Sequence, residues 1–163
     1  LADELDSETY GYVGFSMGGR TGLELAASTP DRLSLLAIGG MHLLPATTNA
    51  DRFIRHTKIL RSGRAKSVEK PDGDRPGNDP LALAASHEAL LWWKGAEGRL
   101  ANLKAPTMLF CGEEDAHFSN AEESSKRYGF EFARLPKTDH DSTFFSSKLA
   151  VSSVANFVSK HLK

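Results

Sequence analysis

The sequence predicts an α/β fold in which a mostly parallel sheet is flanked by helices. Short apolar runs alternate with segments of helical period, the pattern of a parallel sheet covered by helices. The runs are almost continuously apolar, as strands buried on both faces must be. The 163 residues, 40% hydrophobic and 25% charged, match an ordinary globular domain. That length supports a core without disulfides or structural metal.

The elements follow in order. Tyr10 to Phe15 is a β-rich run closed by glycines. In residues 17–28, Gly18, Gly22 and Ala26 recur every four positions and predict a helix with one small-residue face that lies close on a sheet. Pro30 stops it. Residues 33–38, ended by Gly39 and Gly40, predict a second buried strand, residues 107–111 after Pro106 a third, and residues 130–135 a fourth. From 148 to 163, Val151, Val154, Phe157, Val158 and Leu162 share a helical face, which predicts a closing amphipathic helix.

Residues 42–104 are too long for a simple crossover. They predict an inserted unit, with residues 1–41 and 105–163 forming the core. Residues 51–70 hold seven basic side chains against two acidic ones, with Phe53, Ile54, Ile59 and Leu60 interleaved. A basic binding face from Arg52 to Lys70 is one reading. A short amphipathic helix with a solvated polar side fits the balanced overall charge better. Residues 71–80, with three prolines and two glycines, predict a loop. Residues 81–93 predict a helix ended by Gly95.

Composition narrows the function classes. Twenty Lys+Arg against 21 Asp+Glu, for a net charge of -1, leave no electrostatic footprint for nucleic acid. No apolar run reaches the roughly 18 residues of a membrane span, and the acidic first residues differ from a signal peptide. One cysteine, Cys111, excludes an internal disulfide and a paired-cysteine zinc site and fits a reducing, cytoplasmic setting.

The most informative stretch is Gly14-Phe15-Ser16-Met17-Gly18, a G-x-S-x-G pattern where a β-run turns into a helix. Such a turn holds the serine strained and exposed, with the flanking glycines avoiding collision with backbone. The free N–H of Met17 at the helix start can donate to an oxyanion. A plainer reading makes the glycines a tight turn and Ser16 a helix cap.

A serine nucleophile needs a base and a group to orient it. Among six histidines, His140 follows the fourth β-run and stands at the carboxyl edge of the sheet, where Ser16 also stands. His161, His56 and His87 read as solvated surface, and His42, just past the second strand, as a pocket-lining residue without an assigned role. The third run leads into Glu113, Glu114 and Asp115. Asp115 is the short carboxylate able to turn back over the sheet edge, and the glutamates read as solvated charges. Asp139 and Asp141 flank the base and tune its pKa without holding its ring.

The order Ser16, Asp115, His140, each after a β-run, resembles the α/β-hydrolase superfamily. GFSMGGRTGLELAASTPDRLSLLAIGG is similar to that family's elbow strand, helix and next strand, and TMLFCGEED and LPKTDH to its acid and histidine turns. Phe118 stands where the acid turn usually leads to proline, and Asp139 where glycine commonly precedes the histidine. The resemblance implies a serine hydrolase acting on a carboxylic ester, lactone or similar small acyl substrate through an acyl-enzyme on Ser16, with no metal or organic cofactor. Acyl transfer, thioester cleavage and cofactor-free peroxidase activity use the same triad and stay open. Serine in place of aspartate argues against haloalkane dehalogenase or epoxide hydrolase chemistry. The insertion sits where many members carry a helical lid, so Leu91, Trp92 and Trp93 either face an acyl pocket or pack as plain core.

The family places several strands, and the loop with the second oxyanion donor, before the elbow. The resemblance therefore implies a C-terminal portion of the fold, whose first strand would be an unprotected sheet edge on its own. The rival reading is a non-catalytic, ligand-binding member or truncated inactive fragment.

Overall fold

The computed structural model describes residues 2–45, 50–62 and 79–162, apart from the side chains of Ala50, Arg52 and Phe53. Arg64, Lys66, Lys70 and nearly all of the proline-rich segment 71–80 lie outside the described residues. So does the Arg52 side chain, and with it most of the basic face that the sequence suggested.

The chain divides into two compact units, Leu1–Leu44 with Ala96–Lys163, and Pro45–Gly95. The first contains four strands, β1 (Tyr10–Phe15), β2 (Leu33–Gly39), β3 (Thr107–Gly112) and β4 (Glu131–Leu135). They pair in sequence order, all parallel. The division falls at 45 and 95 rather than at 42 and 104. The amide of Ala96 donates to the carbonyl of Leu43 (2.7 Å), and Arg99 makes a two-pronged ion pair with Glu24 (2.6 and 2.9 Å).

The central strands β2 and β3 are buried along almost their whole length, which is why they read as apolar runs without polar alternation. Leu35, Ala37, Met108, Phe110 and Leu135 form one core layer with Ala150 and Phe157 of α6 (Lys148–His161). On the other face, Ile38 meets α1 (Met17–Ser28). Phe132 and Arg134 meet Phe118, the first residue of α4 (Phe118–Tyr128). Among the described residues β1 pairs with β2 alone. Its Val13 is 48% exposed.

The close face of α1 differs from the expected stripe. Gly19, Gly22, Leu23 and Ala26 are buried, while Gly18 is only partly so. A Cβ on Gly22 would stand 2.6 Å from the Tyr12 ring and 2.7 Å from Ile38. On α6, Val151 is exposed and Leu162 lies beyond the helix end. Val154, Phe157 and Val158 of the expected face do pack on the sheet, and Ala150 joins them. Ser147 caps this helix by accepting the amide of Ala150 (3.1 Å).

The second unit pairs α2 (Ala50–Arg61) with α3 (Pro80–Leu91). Asp79 caps α3 from the amide of Leu81 (2.8 Å), with Pro80 at the first helical position. Arg61 of α2 holds both oxygens of Glu88 on α3 (2.8 and 2.7 Å). The rings of His56 and His87 stand 4.8 Å apart and are half-buried, so neither is the solvated surface residue expected. No described helix is long and apolar enough to cross a membrane.

Candidate active site

At the carboxyl end of β1 the backbone turns sharply into α1. Ser16 takes φ +54° there, a conformation costly for a side-chain-bearing residue. The turn is pinned by Ser16 N–H donating to Gly39 (2.8 Å) and by Arg20 N–H donating to Ser16 (3.1 Å). A Cβ on Gly14 would stand 2.5 Å from the Gly18 carbonyl oxygen, so glycine is required at 14. Gly18 is different. A Cβ there would meet only the Tyr12 hydroxyl at 3.9 Å, so steric collision does not explain that glycine, contrary to the sequence expectation. Ser16 makes no capping hydrogen bond with its side chain. Its hydroxyl is turned elsewhere.

That hydroxyl lies 2.9 Å from Nε2 of His140, and Nδ1 of His140 lies 2.7 Å from Oδ2 of Asp115. The three residues named from the sequence, 124 positions apart at the extremes, therefore meet in one hydrogen-bonded chain. Asp115 follows β3. His140 opens α5 (His140–Phe145), which Asp139 and Ser142 start with a reciprocal capping box. Asp139 thus serves the helix end.

The acid and histidine turns are joined backbone to backbone. The amide of Glu114 donates to Thr138 (3.0 Å) and that of Glu113 to Leu135 (3.0 Å). Glu113 is not simply solvated, since it pairs with Arg134 (3.0 Å). The His140 ring rests on Phe15 (4.8 Å between centroids). The Phe144 ring also packs on Phe15 (5.2 Å between centroids).

Electrostatics follow from this packing. Burial opposes the charge on Asp115, which is 6% exposed. The hydrogen bonds from the His140 ring and the His117 amide outweigh burial and hold the carboxyl below its ordinary range. The Asp115 hydrogen bond raises the His140 pKa against the effect of burial, and Asp141 and Asp139 add smaller contributions of the same sign. An ionised carboxylate can only accept, so Nδ1 of His140 carries the proton and Nε2 offers its lone pair to the Ser16 hydroxyl. The Cys111 thiol, buried at the end of β3, is pushed up by burial first and by Asp115 second.

Met17 begins α1 directly after the serine, where backbone N–H groups lack helical acceptors. His42 is 2% exposed and accepts the amide of Leu44 at Nδ1 (3.1 Å). Burial, then His117 and Arg20, lower its pKa to about 4. Trp92 and Trp93 belong to the second unit, and Trp92, 82% exposed, is not core. His161 packs on Phe157 (4.8 Å) and reaches Glu131 (2.9 Å), so it is not solvated surface either.

Sequence reasoning missed two contributors. His117, two residues past the acid, donates its amide to Oδ1 of Asp115 (2.9 Å), and its ring packs near those of His42 (5.1 Å) and His140 (5.7 Å). Gly40, read only as a strand end, has φ +56°, and a Cβ there would lie 2.9 Å from Cε1 of His140. The Gly39-Gly40 pair was the available signal.

No protein-family model matches the sequence, and no curated protein matches it. Solved structures do resemble it. A thermophilic esterase from Thermogutta terrifontis, solved with malate bound, has TM-score 0.80 and 18% identity over 100% of this chain and 70% of its own. An α/β hydrolase enzyme from a Medee basin deep-sea metagenome library has TM-score 0.77 and 16% identity, covering 98% of this chain and 68% of its own. The enol-lactonase from Burkholderia xenovorans has TM-score 0.64 and 21% identity, covering 98% and 69%.

Proposed function

From the premise that this chain has the α/β-hydrolase fold, in the portion that spans 68–70% of such structures, we propose that it is a serine hydrolase cleaving a carboxylic ester, lactone or similar small acyl substrate. Hydrolase activity in general is supported by the esterases and lactonase that share the fold. The serine mechanism rests on one observation, the hydrogen-bonded chain from Ser16 through His140 to Asp115.

In that mechanism Nε2 of His140 takes the Ser16 proton as Oγ bonds to the acyl carbon. The carbonyl oxygen gains the charge of the tetrahedral intermediate, and the amide of Met17 donates to it. The imidazolium, stabilised by buried Asp115, returns the proton to the departing alkoxide as the C–O bond breaks. Water deprotonated by His140 then attacks the acyl-enzyme, and Ser16 leaves reprotonated. The residues involved need no metal or organic cofactor for these steps. The insertion expected at residues 42–104 is proposed as a helical lid, His42 is a candidate to line the substrate pocket, and a small acyl compound is the expected partner.

Labelling with a fluorophosphonate, which modifies base-activated serines, followed by peptide mass spectrometry tests the reading. Modification at Ser16 that disappears in His140→Ala is the expected result. A folded protein that hydrolyses esters equally well after Ser16→Ala would overturn it.

A further inference from the structure

His117 adds a third metal-ligating side chain beside Asp115 and His140. Asp115, His117 and His140 each offer one donor atom, and the three atoms lie within 4.8 Å of one another. The carboxylate is buried and the two histidines are half-buried. His117 is fixed at its backbone, because its amide is bound to Oδ1 of Asp115. That bond leaves Oδ2 for His140. The His117 ring also contacts the rings of His42 (5.1 Å) and His140 (5.7 Å).

We infer that Asp115, His117 and His140 form an inhibitory binding site for a borderline divalent metal ion such as Zn²⁺. Two imidazoles and a carboxylate suit zinc, cobalt or copper, whereas magnesium and calcium prefer all-oxygen sets. Zinc bonds of about 2.0–2.2 Å place tetrahedral ligand atoms roughly 3.4 Å apart. The site therefore closes by about 1.4 Å at most, within reach of side-chain rotation on the two histidines.

Metal binding stands on this geometry alone. Its inhibitory consequence rests on the proposed serine mechanism. A metal on Nδ1 of His140 replaces the bond to Asp115, and a metal on Nε2 replaces the bond to Ser16. Either way His140 can no longer take the Ser16 proton.

The test uses the full chain. Co²⁺ is titrated while its visible absorption is followed, Zn²⁺ is titrated by calorimetry, and fluorophosphonate labelling of Ser16 is measured with and without Zn²⁺. One equivalent should bind with the intense absorption of tetrahedral cobalt, and Co²⁺ should broaden the ring resonances of His117 and His140, a readout that needs no variant. Affinity should fall at least about tenfold in both His117→Ala and His117→Gln. It should be undiminished in Ser16→Ala, and unchanged in the His56→Ala, His87→Ala double variant, which removes the other close histidine pair. Zinc should block labelling, and a chelator should restore it.

Undiminished binding in both His117 variants, binding lost with His56 and His87, or no binding up to millimolar metal overturns the proposal. Binding through the three residues with Ser16 unlabelled in every condition would leave the metal site standing and overturn the serine mechanism. Labelling that zinc neither blocks nor slows would leave the serine mechanism standing and overturn the inhibitory site.

Discussion

The carbonyl of Thr138 lies so close to Gly112 that a Cβ there would stand 2.1 Å from its oxygen. The end of β3 and the turn before α5 therefore form one rigid corner. Asp115 leaves one side of that corner and His140 the other, so the distance between acid and base is set by backbone rather than by flexible side chains. Gly112→Ala should separate the turns and lower both kcat/KM and the unfolding midpoint. Activity assays on the folded variant, with thermal unfolding alongside, test this, and parent-like values in both would count against a shared corner.

Removing the proposed nucleophile, Ser16, should abolish turnover while leaving the fold intact. Ser16 makes no capping bond whose loss would weaken α1, and its hydroxyl is committed to His140. In a serine hydrolase the loss on Ser16→Ala is about 10⁶-fold in kcat. Ester hydrolysis and circular dichroism, measured together, separate this from misfolding.

The raised pKa of His140 fixes the direction of the pH dependence. Proton abstraction needs the neutral ring, so the acidic limb of kcat/KM should lie above the ordinary histidine value of 6.5. Asp115 is the first cause of the rise, so Asp115→Asn should move the limb to lower pH and cut kcat by about 10⁴-fold. Stability has its own sign. A raised folded pKa contributes stability that is fully present below 6.5 and is lost as pH rises through the folded value. The depressed carboxyl of Asp115 contributes stability above 3.8 that is lost as pH falls through its folded value. Denaturant unfolding across pH should show both losses flattened in Asp115→Asn.

The core makes a separate prediction. Phe157 is 3% exposed and sits among Leu35, Met108 and Phe110. Truncation to alanine should cost about 3–5 kcal/mol. Val151, on the same helix but 71% exposed, should tolerate the same change within about 0.5 kcal/mol. Urea unfolding of the two variants separates two residues that the sequence placed on one face of α6, of which only Phe157 is buried against the sheet.

Much of this fold was legible because strands buried on both faces read as apolar runs, and glycine or proline marks their ends. Each strand was placed within a residue or two. Helix α4 left no such signal. It buries Ala121, Ser124 and Ser125, small residues that form no apolar stripe, so periodicity passed over it. The meeting of Ser16, Asp115 and His140 was readable from one regularity, that residues just past parallel strands share an edge. His117 was not, because its contribution is a backbone amide and a ring packed near two other rings. Nothing in the spacing of a turn announces either. The second compact unit, Pro45–Gly95, is narrower than the expected insertion, since Ala96 bonds to Leu43 and Arg99 pairs with Glu24 within the first unit, contacts that no local pattern encodes.

Gly40 gives the most specific prediction of position. Its φ of +56° favours glycine, and the space its missing side chain leaves is taken by the edges of Phe15 and His140, 2.6 and 2.9 Å from where a Cβ would be. Gly40→Ala carries roughly 1–2 kcal/mol of backbone strain, which unfolding measurements would register. A further effect is expected if the ring itself is displaced. His140 would move from its 2.9 Å contact with Ser16, and a misplacement near 1 Å costs roughly 10²-fold in rate. Because His140 would also shift against Asp115, the acidic limb of the pH profile should move as well, which simple destabilisation would not produce. A variant that loses stability yet keeps both its kcat and its pH limb would show that Gly40 serves the turn alone and that the base is held by Phe15 and the Asp115 bond.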